Sequence, residues 1–123
     1  GKATTELLLE RGHKVIGVDI RDADVTVDLS TAEGRAALVE KVTALSGGTI
    51  DAVIANAGLA TPTAITVAVN YFGTVATLEG LRPLLVNSPA PRAGAIDLDG
   101  ATGSLGSFTG GTRASDGAVR SGL

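Results

Sequence analysis

The sequence contains no cysteine, no methionine and no tryptophan, and only one tyrosine, two phenylalanines and one histidine among its 123 residues. Without cysteine there is neither a disulfide framework nor a thiolate metal site, and a reducing, cytoplasmic setting is the expectation. Aromatics at 2% leave nothing from which to build a base-stacking platform or an aromatic cage. Ten basic residues against thirteen acidic ones, a net charge of −3, supply no positive field for nucleic acid or an anionic membrane. No unbroken run of about 18 apolar residues and no charged-then-apolar leader is visible, so neither a membrane span nor a signal peptide is expected. The missing methionine, with Gly1 as first residue, leads us to expect a truncated sequence.

What is present is 44% hydrophobic, enough for one small domain with a core of Ala, Val, Leu and Ile. A helix is expected over Lys2–Arg11 around Leu7, Leu8 and Leu9, ended by Gly12 in a left-handed conformation. Val15, Ile16 and Val18 then read as a buried strand closing at Asp19, and Val25 and Val27 as a second, weaker strand before Asp28. Ser30 with Glu33 forms a capping box, after which Leu38, Val42 and Leu45 recur on one helical face until Gly47-Gly48. A third strand covers Ala52–Ala55. Past Asn56-Ala57-Gly58 and Pro62, a longer helix runs through Val69, Phe72, Val75, Leu78, Leu81 and Leu85, with Pro83 bending it or sitting near its end. Strands separated by helices predict a parallel α/β sheet with right-handed crossovers.

The character changes at about Ala93: Gly94–Leu123 holds 8 of the 17 glycines with no sustained periodicity. Glycines at 100, 103 and 106 are too few for a collagen repeat, and Asp97-Leu98-Asp99-Gly100 opens like a calcium loop but lacks its later ligands. An irregular or disordered tail over 93–123 is expected, with a shifted reading frame as a second explanation of its composition. No metal ligation is expected. His13, between helix and strand, reads as an exposed structural residue, Arg21, Asp22 and Asp24 as a charged loop, and Ser88, Ser104 and Ser107 as loop serines.

Asp19 stands 18 residues after Gly1, which itself opens a helix. An acidic residue at that distance from a glycine-rich turn is the spacing at which a dinucleotide's ribose hydroxyls are bound. The segments Gly1-Lys2-Ala3-Thr4, Val18-Asp19-Ile20, Val27-Asp28-Leu29, Asn56-Ala57-Gly58 and Val69-Asn70-Tyr71-Phe72-Gly73 occur in the order and spacing of the short-chain dehydrogenase/reductase family, which residues 1–92 therefore resemble. Within it, Gly12 to Asp24 and Asp28 to Arg35 look most like the bacterial 3α-hydroxysteroid dehydrogenase/carbonyl reductases.

The resemblance implies a Rossmann-type, doubly wound α/β fold, incomplete because its first strand and later half are missing, with 1–92 as a partial NAD-binding domain. Gly1 is implied to be the last glycine of the pyrophosphate turn, at a helix N-terminus whose free amides favour anions. Asp19 and Ile20 are implied to hold the ribose and flank the adenine, and Asp28 and Leu29 to border the adenine. Asn56, Ala57 and Gly58 would line the cofactor. Asp19 would repel a 2′-phosphate, favouring NAD over NADP. Asn70 matches the asparagine of the family's Asn-Ser-Tyr-Lys tetrad, where it shapes a helix and holds a water in the proton relay.

Tyr71 is not the family's catalytic tyrosine, because position 75 is Val75 where a lysine is required, and Lys2, Lys14 and Lys41 all precede it. The Tyr-x-x-x-Lys pair that delivers a proton to the carbonyl is absent, and the family's serine has no counterpart. The intact relative is implied to move a hydride between NAD and a secondary alcohol or ketone, a hydroxysteroid being one candidate, and to form homo-oligomers. This chain is expected to be inactive; the alternative is a non-catalytic nucleotide-binding or interaction module. Strand order 3-2-1-4-5-6 further predicts that the strands near Val15 and Val25 lack the neighbour joining them to Val53-Ile54, leaving a poorly stable chain.

Overall fold

The computed structural model describes residues 1–96 and the backbone of 105–109. Its elements are α1 (Lys2–Glu10), β1 (Val18–Asp19), β2 (Val25–Thr26), α2 (Ala32–Ser46), β3 (Ala52–Ala55), α3 (Ala64–Val67), a π-helical segment (Ala68–Gly73), α4 (Thr74–Leu85), β4 (Arg92–Ile96) and β5 (Leu105–Thr109). Helices separate β2 from β3 and β3 from β4, and β1–β2 and β3–β4 pair in parallel, as in an α/β doubly wound arrangement. They form two sheets, β1-β2 and β3-β4-β5, so the predicted break between the Val25 side and Val53-Ile54 is present.

One apolar core nevertheless serves both sheets. Val25 and Val27 from the first, Val53 from the second, Leu38 and Val42 from α2, and Leu81, Leu84 and Leu85 from α4 make a single buried cluster. Helices α2 and α4 approach at Gly80, where a Cβ would lie 2.5 Å from the Val39 Cγ2, so any larger residue would have to displace that methyl. By contrast, α1 buries none of its residues: Leu7 and Leu9 are about half exposed.

Several local expectations are corrected. Val15 and Ile16 lie outside β1, which pairs only through Val18 and Asp19 because β2 is itself two residues long. The link from β1 to β2 is a short loop, the charged one expected around Arg21, Asp22 and Asp24. It is closed by Asp24, whose Oδ2 accepts the Gly17 amide at 2.7 Å, and it turns at Asp22 with φ of 51°. The cap of α2 is Thr31, whose Oγ1 accepts from Gly34 N at 3.0 Å, and not Ser30, whose hydroxyl is drawn to Asp28. Leu45, placed on the apolar face, is 57% exposed at the helix end just before Gly47, whose φ of 69° stops the helix.

The long helix is interrupted by the π segment, and Pro83 sits two residues inside its end. The helical run Ala64–Leu85 is long and apolar enough to cross a membrane by length and average composition, with mean hydropathy 1.2, although Asn70, Glu79 and Arg82 keep it from being an unbroken apolar run. Its alanines, threonines and glycines hid the average. Leu81, Leu84 and Leu85, however, belong to the protein core.

The boundary expected between residues 92 and 93 falls inside β4. Arg92–Ala95 pairs residue for residue with Ala52–Ala55, led by the Arg92 amide on Asp51 O at 2.9 Å, and β5 adds an antiparallel neighbour. Ala and Gly have low strand propensity, so composition concealed a strand that the open edge of β3 specifies. Asp97–Gly100 and Ser104 lie outside the described residues, as does the side chain of Ser107 in β5. Ser88 is buried in a turn, donating to Asp51 Oδ1 at 2.6 Å.

Candidate functional site

In a parallel sheet the loops beyond the carboxyl ends of the strands form the natural crevice for a ligand. Asp19 ends β1, Asp28 and Leu29 follow β2, and Asn56, Ala57 and Gly58 follow β3. All of these segments thus leave their strands at the same end. Gly1 approaches the last of these segments: a Cβ built on it would lie 3.4 Å from Asn56 Nδ2. Gly1 is also the N-cap of α1 and offers no side-chain cap to that helix. The helix carries no acidic residue in its first turn.

The two carboxylates differ in setting. Asp19 is exposed, and its Oδ1 accepts from the amide of Ile20 at 2.6 Å, which fixes the carboxylate against its own backbone at the strand end. Ile20 is itself 57% exposed, an apolar surface beside an acid. Asp28 accepts through Oδ1 from the Ser30 hydroxyl at 2.6 Å and from the Ser30 amide at 2.9 Å. These two bonds, the hydroxyl's first, hold the Asp28 carboxyl below its ordinary value of 3.8, against a smaller opposing effect of desolvation. The carbonyl of Asp28 is pinned as well, by Thr31 Oγ1 at 3.0 Å and by Gly34, where a Cβ would come within 1.8 Å of that oxygen.

Asn70 lies in the π segment, a wider turn of the kind frequent at functional sites. Its Oδ1 accepts from Leu59 N at 2.8 Å and its Nδ2 donates to Leu59 O at 2.9 Å. One side chain therefore fastens the loop that follows Asn56-Ala57-Gly58 to the helix. This is the geometry of a positioning residue.

Arg35 was not singled out by the sequence. It is half-buried in α2 and donates from Nη1 to Leu29 O at 3.0 Å, with its guanidinium 5.9 Å from the centre of the Phe72 ring. No residue pattern marks this, because the Phe72 ring that Arg35 approaches lies far along the chain from it. Gly73 has a legible reason for being glycine: a Cβ there would lie 3.2 Å from Leu29 Cβ. His13 is exposed, as expected. A shallow groove of about 510 Å³ beside His13, Lys14, Val15 and Ile16 lies at the entry to β1, away from the strand ends that carry Asp19 and Asn56. No cluster of three or more metal-ligating side chains occurs among the described residues.

No family model matches the chain. Over 96 residues it is 40% identical to the 3-alpha-hydroxysteroid dehydrogenase/carbonyl reductase of Comamonas testosteroni, a match covering 76% of this chain and 37% of that protein. The crystal structure of the 3-alpha-hydroxysteroid dehydrogenase from Pseudomonas sp. B-0831, complexed with NADH, matches with a TM-score of 0.76 and 41% identity, over 79% of this chain and 39% of that one. The chain thus spans well under half the length of both relatives.

Proposed function

We propose that this chain, which belongs to the short-chain dehydrogenase/reductase family, supplies the adenosine-binding half of an NAD(H) site. The whole enzyme would move a hydride between the nicotinamide and a secondary alcohol or ketone of the hydroxysteroid class. One observation carries the reading: Gly1 against Asn56, with Asp19 and Asp28–Leu29 at neighbouring strand ends, on a fold that matches an NADH-complexed dehydrogenase. The residues present fit that half of the cofactor. Exposed Asp19 is an acceptor for ribose hydroxyls, Ile20 and Leu29 offer apolar surface to a base, and the open α1 N-terminus suits a pyrophosphate. When bound, the nicotinamide supplies or takes the hydride.

No residue of this chain stands where the tyrosine and lysine of the proton relay are needed, since Val75 follows Tyr71 at the critical spacing. We therefore assign this chain binding without turnover, in keeping with a nucleotide-binding module, and place its work in the cytoplasm. Homo-oligomerisation of the whole enzyme belongs to the same proposal. Titration of the purified chain with NADH, followed by cofactor fluorescence, tests the reading. Saturable binding that is weaker for NADPH is expected, with no oxidation of a hydroxysteroid by NAD at 340 nm. Absence of saturable binding would overturn it.

A further inference from the structure

Asp28 and Leu29 have no direct chain connection to the helix that carries Asn70, yet a single side chain ties them together. Arg35 donates to Leu29 O at 3.0 Å and lays its guanidinium 5.9 Å from the centre of the Phe72 ring. Phe72 stands two residues from Asn70 in the same π segment and meets Tyr71 edge-to-face at 5.2 Å. The two segments are also close at Gly73, where a Cβ would lie 3.2 Å from the Leu29 Cβ. Arg35 has no carboxylate within ion-pair distance among the described residues; Lys2 and Glu6 form the one pair found there. A half-buried guanidinium that faces a carbonyl and a ring uses its planar fork to set position, a task that lysine's rotatable point charge performs poorly.

We propose that Arg35 is a positioning residue for the adenine subsite, holding Leu29 at a fixed height against the Phe72 helix so that the adenine border and the Asn70–Leu59 clamp form one unit. The proposal rests on the nucleotide-binding reading above. The other side of the Asp28–Leu29 segment is already fixed, through Ser30 and Thr31 on Asp28. Arg35 completes the hold from the Leu29 side. Loss of Arg35 frees the Leu29 carbonyl, and the surface offered to the base is then no longer preorganised.

The test uses the purified chain and AMP, which carries the adenosine part alone, by isothermal titration, with circular dichroism checking the fold of each variant. Arg35→Ala is expected to weaken AMP about tenfold. Arg35→Lys, which keeps the charge and a donor but not the plane, should recover part of the loss. Phe72→Leu, which keeps the hydrogen bond and removes the ring, should give a smaller loss of the same sign. If wild-type chain binds AMP and the folded variants bind it equally well, the proposal is overturned while the nucleotide reading stands. Should Arg35→Ala fail to fold, unchanged AMP affinity in both Arg35→Lys and Phe72→Leu overturns it equally. A wild-type chain that binds neither AMP nor NADH removes both.

Discussion

Asp19 and Asp28 each sit at the end of a short strand, but hydrogen bonding gives them different tasks. Asp19 is exposed with one oxygen on its neighbour's amide, and its charge is available to a ligand. Replacing it with alanine removes a charge-assisted acceptor, which costs about 1.5–3 kcal/mol, so NADH should bind roughly 10- to 100-fold more weakly in a fluorescence titration. Asp28 is committed to Ser30, and its lowered pKa links it to stability. Its contribution is fully present above the ordinary value of 3.8 and is lost as pH falls through the lower folded value. Ser30→Ala should move the Asp28 carboxyl midpoint back up in a carbon-detected NMR titration. An unmoved midpoint would show that Ser30 is not the cause. Both aspartates were legible as strand-end acids. Ser30 reads in the sequence as a helix cap, because sequence cannot tell which of two nearby hydroxyls a carboxylate will capture.

The elements were legible where period and punctuation agree, as in α2, which ends at Gly47, and in β3, found over Ala52–Ala55 as expected. They were hidden where pairing decides. Residues Ala93-Gly94-Ala95 have no strand pattern of their own, yet hydrogen bonding to β3 makes them one. The start of α2 depends on a contact equally invisible in the sequence, Gly34 against the Asp28 carbonyl. Gly34→Ala should destabilise the chain by about 1–3 kcal/mol or more through forced displacement of backbone, read as a lowered denaturant midpoint. The interrupted helix depends on Asn70 in a different way, since its amide serves the loop rather than the helix. Asn70→Ala removes both bonds to Leu59 and should speed hydrogen exchange of the Leu59 amide about tenfold or more. Unaltered exchange at that amide would dissolve the clamp.

At the scale of the molecule, two sheets without a shared strand lean on one core of eight buried side chains, while Ile65, Val67, Tyr71 and Phe72 are each at least half exposed. Apolar surface of this kind together with open strand edges favours association. The purified chain is expected to show a broad calorimetric transition and concentration-dependent mass by light scattering; a sharp two-state transition from a monomer would contradict this. By itself, the sequence determined the kind of fold and the strand-end position of Asp19, Asp28 and Asn56, because apolar period, glycine stops and short motifs act locally along the chain. Only the tertiary structure decided that Gly1 lies against Asn56, that Asn70 clamps Leu59, that Arg35 joins Leu29 to Phe72, and that residues 92–96 are strand. Those outcomes depend on which distant groups packing brings within hydrogen-bonding reach, and neither residue type nor spacing encodes that distance.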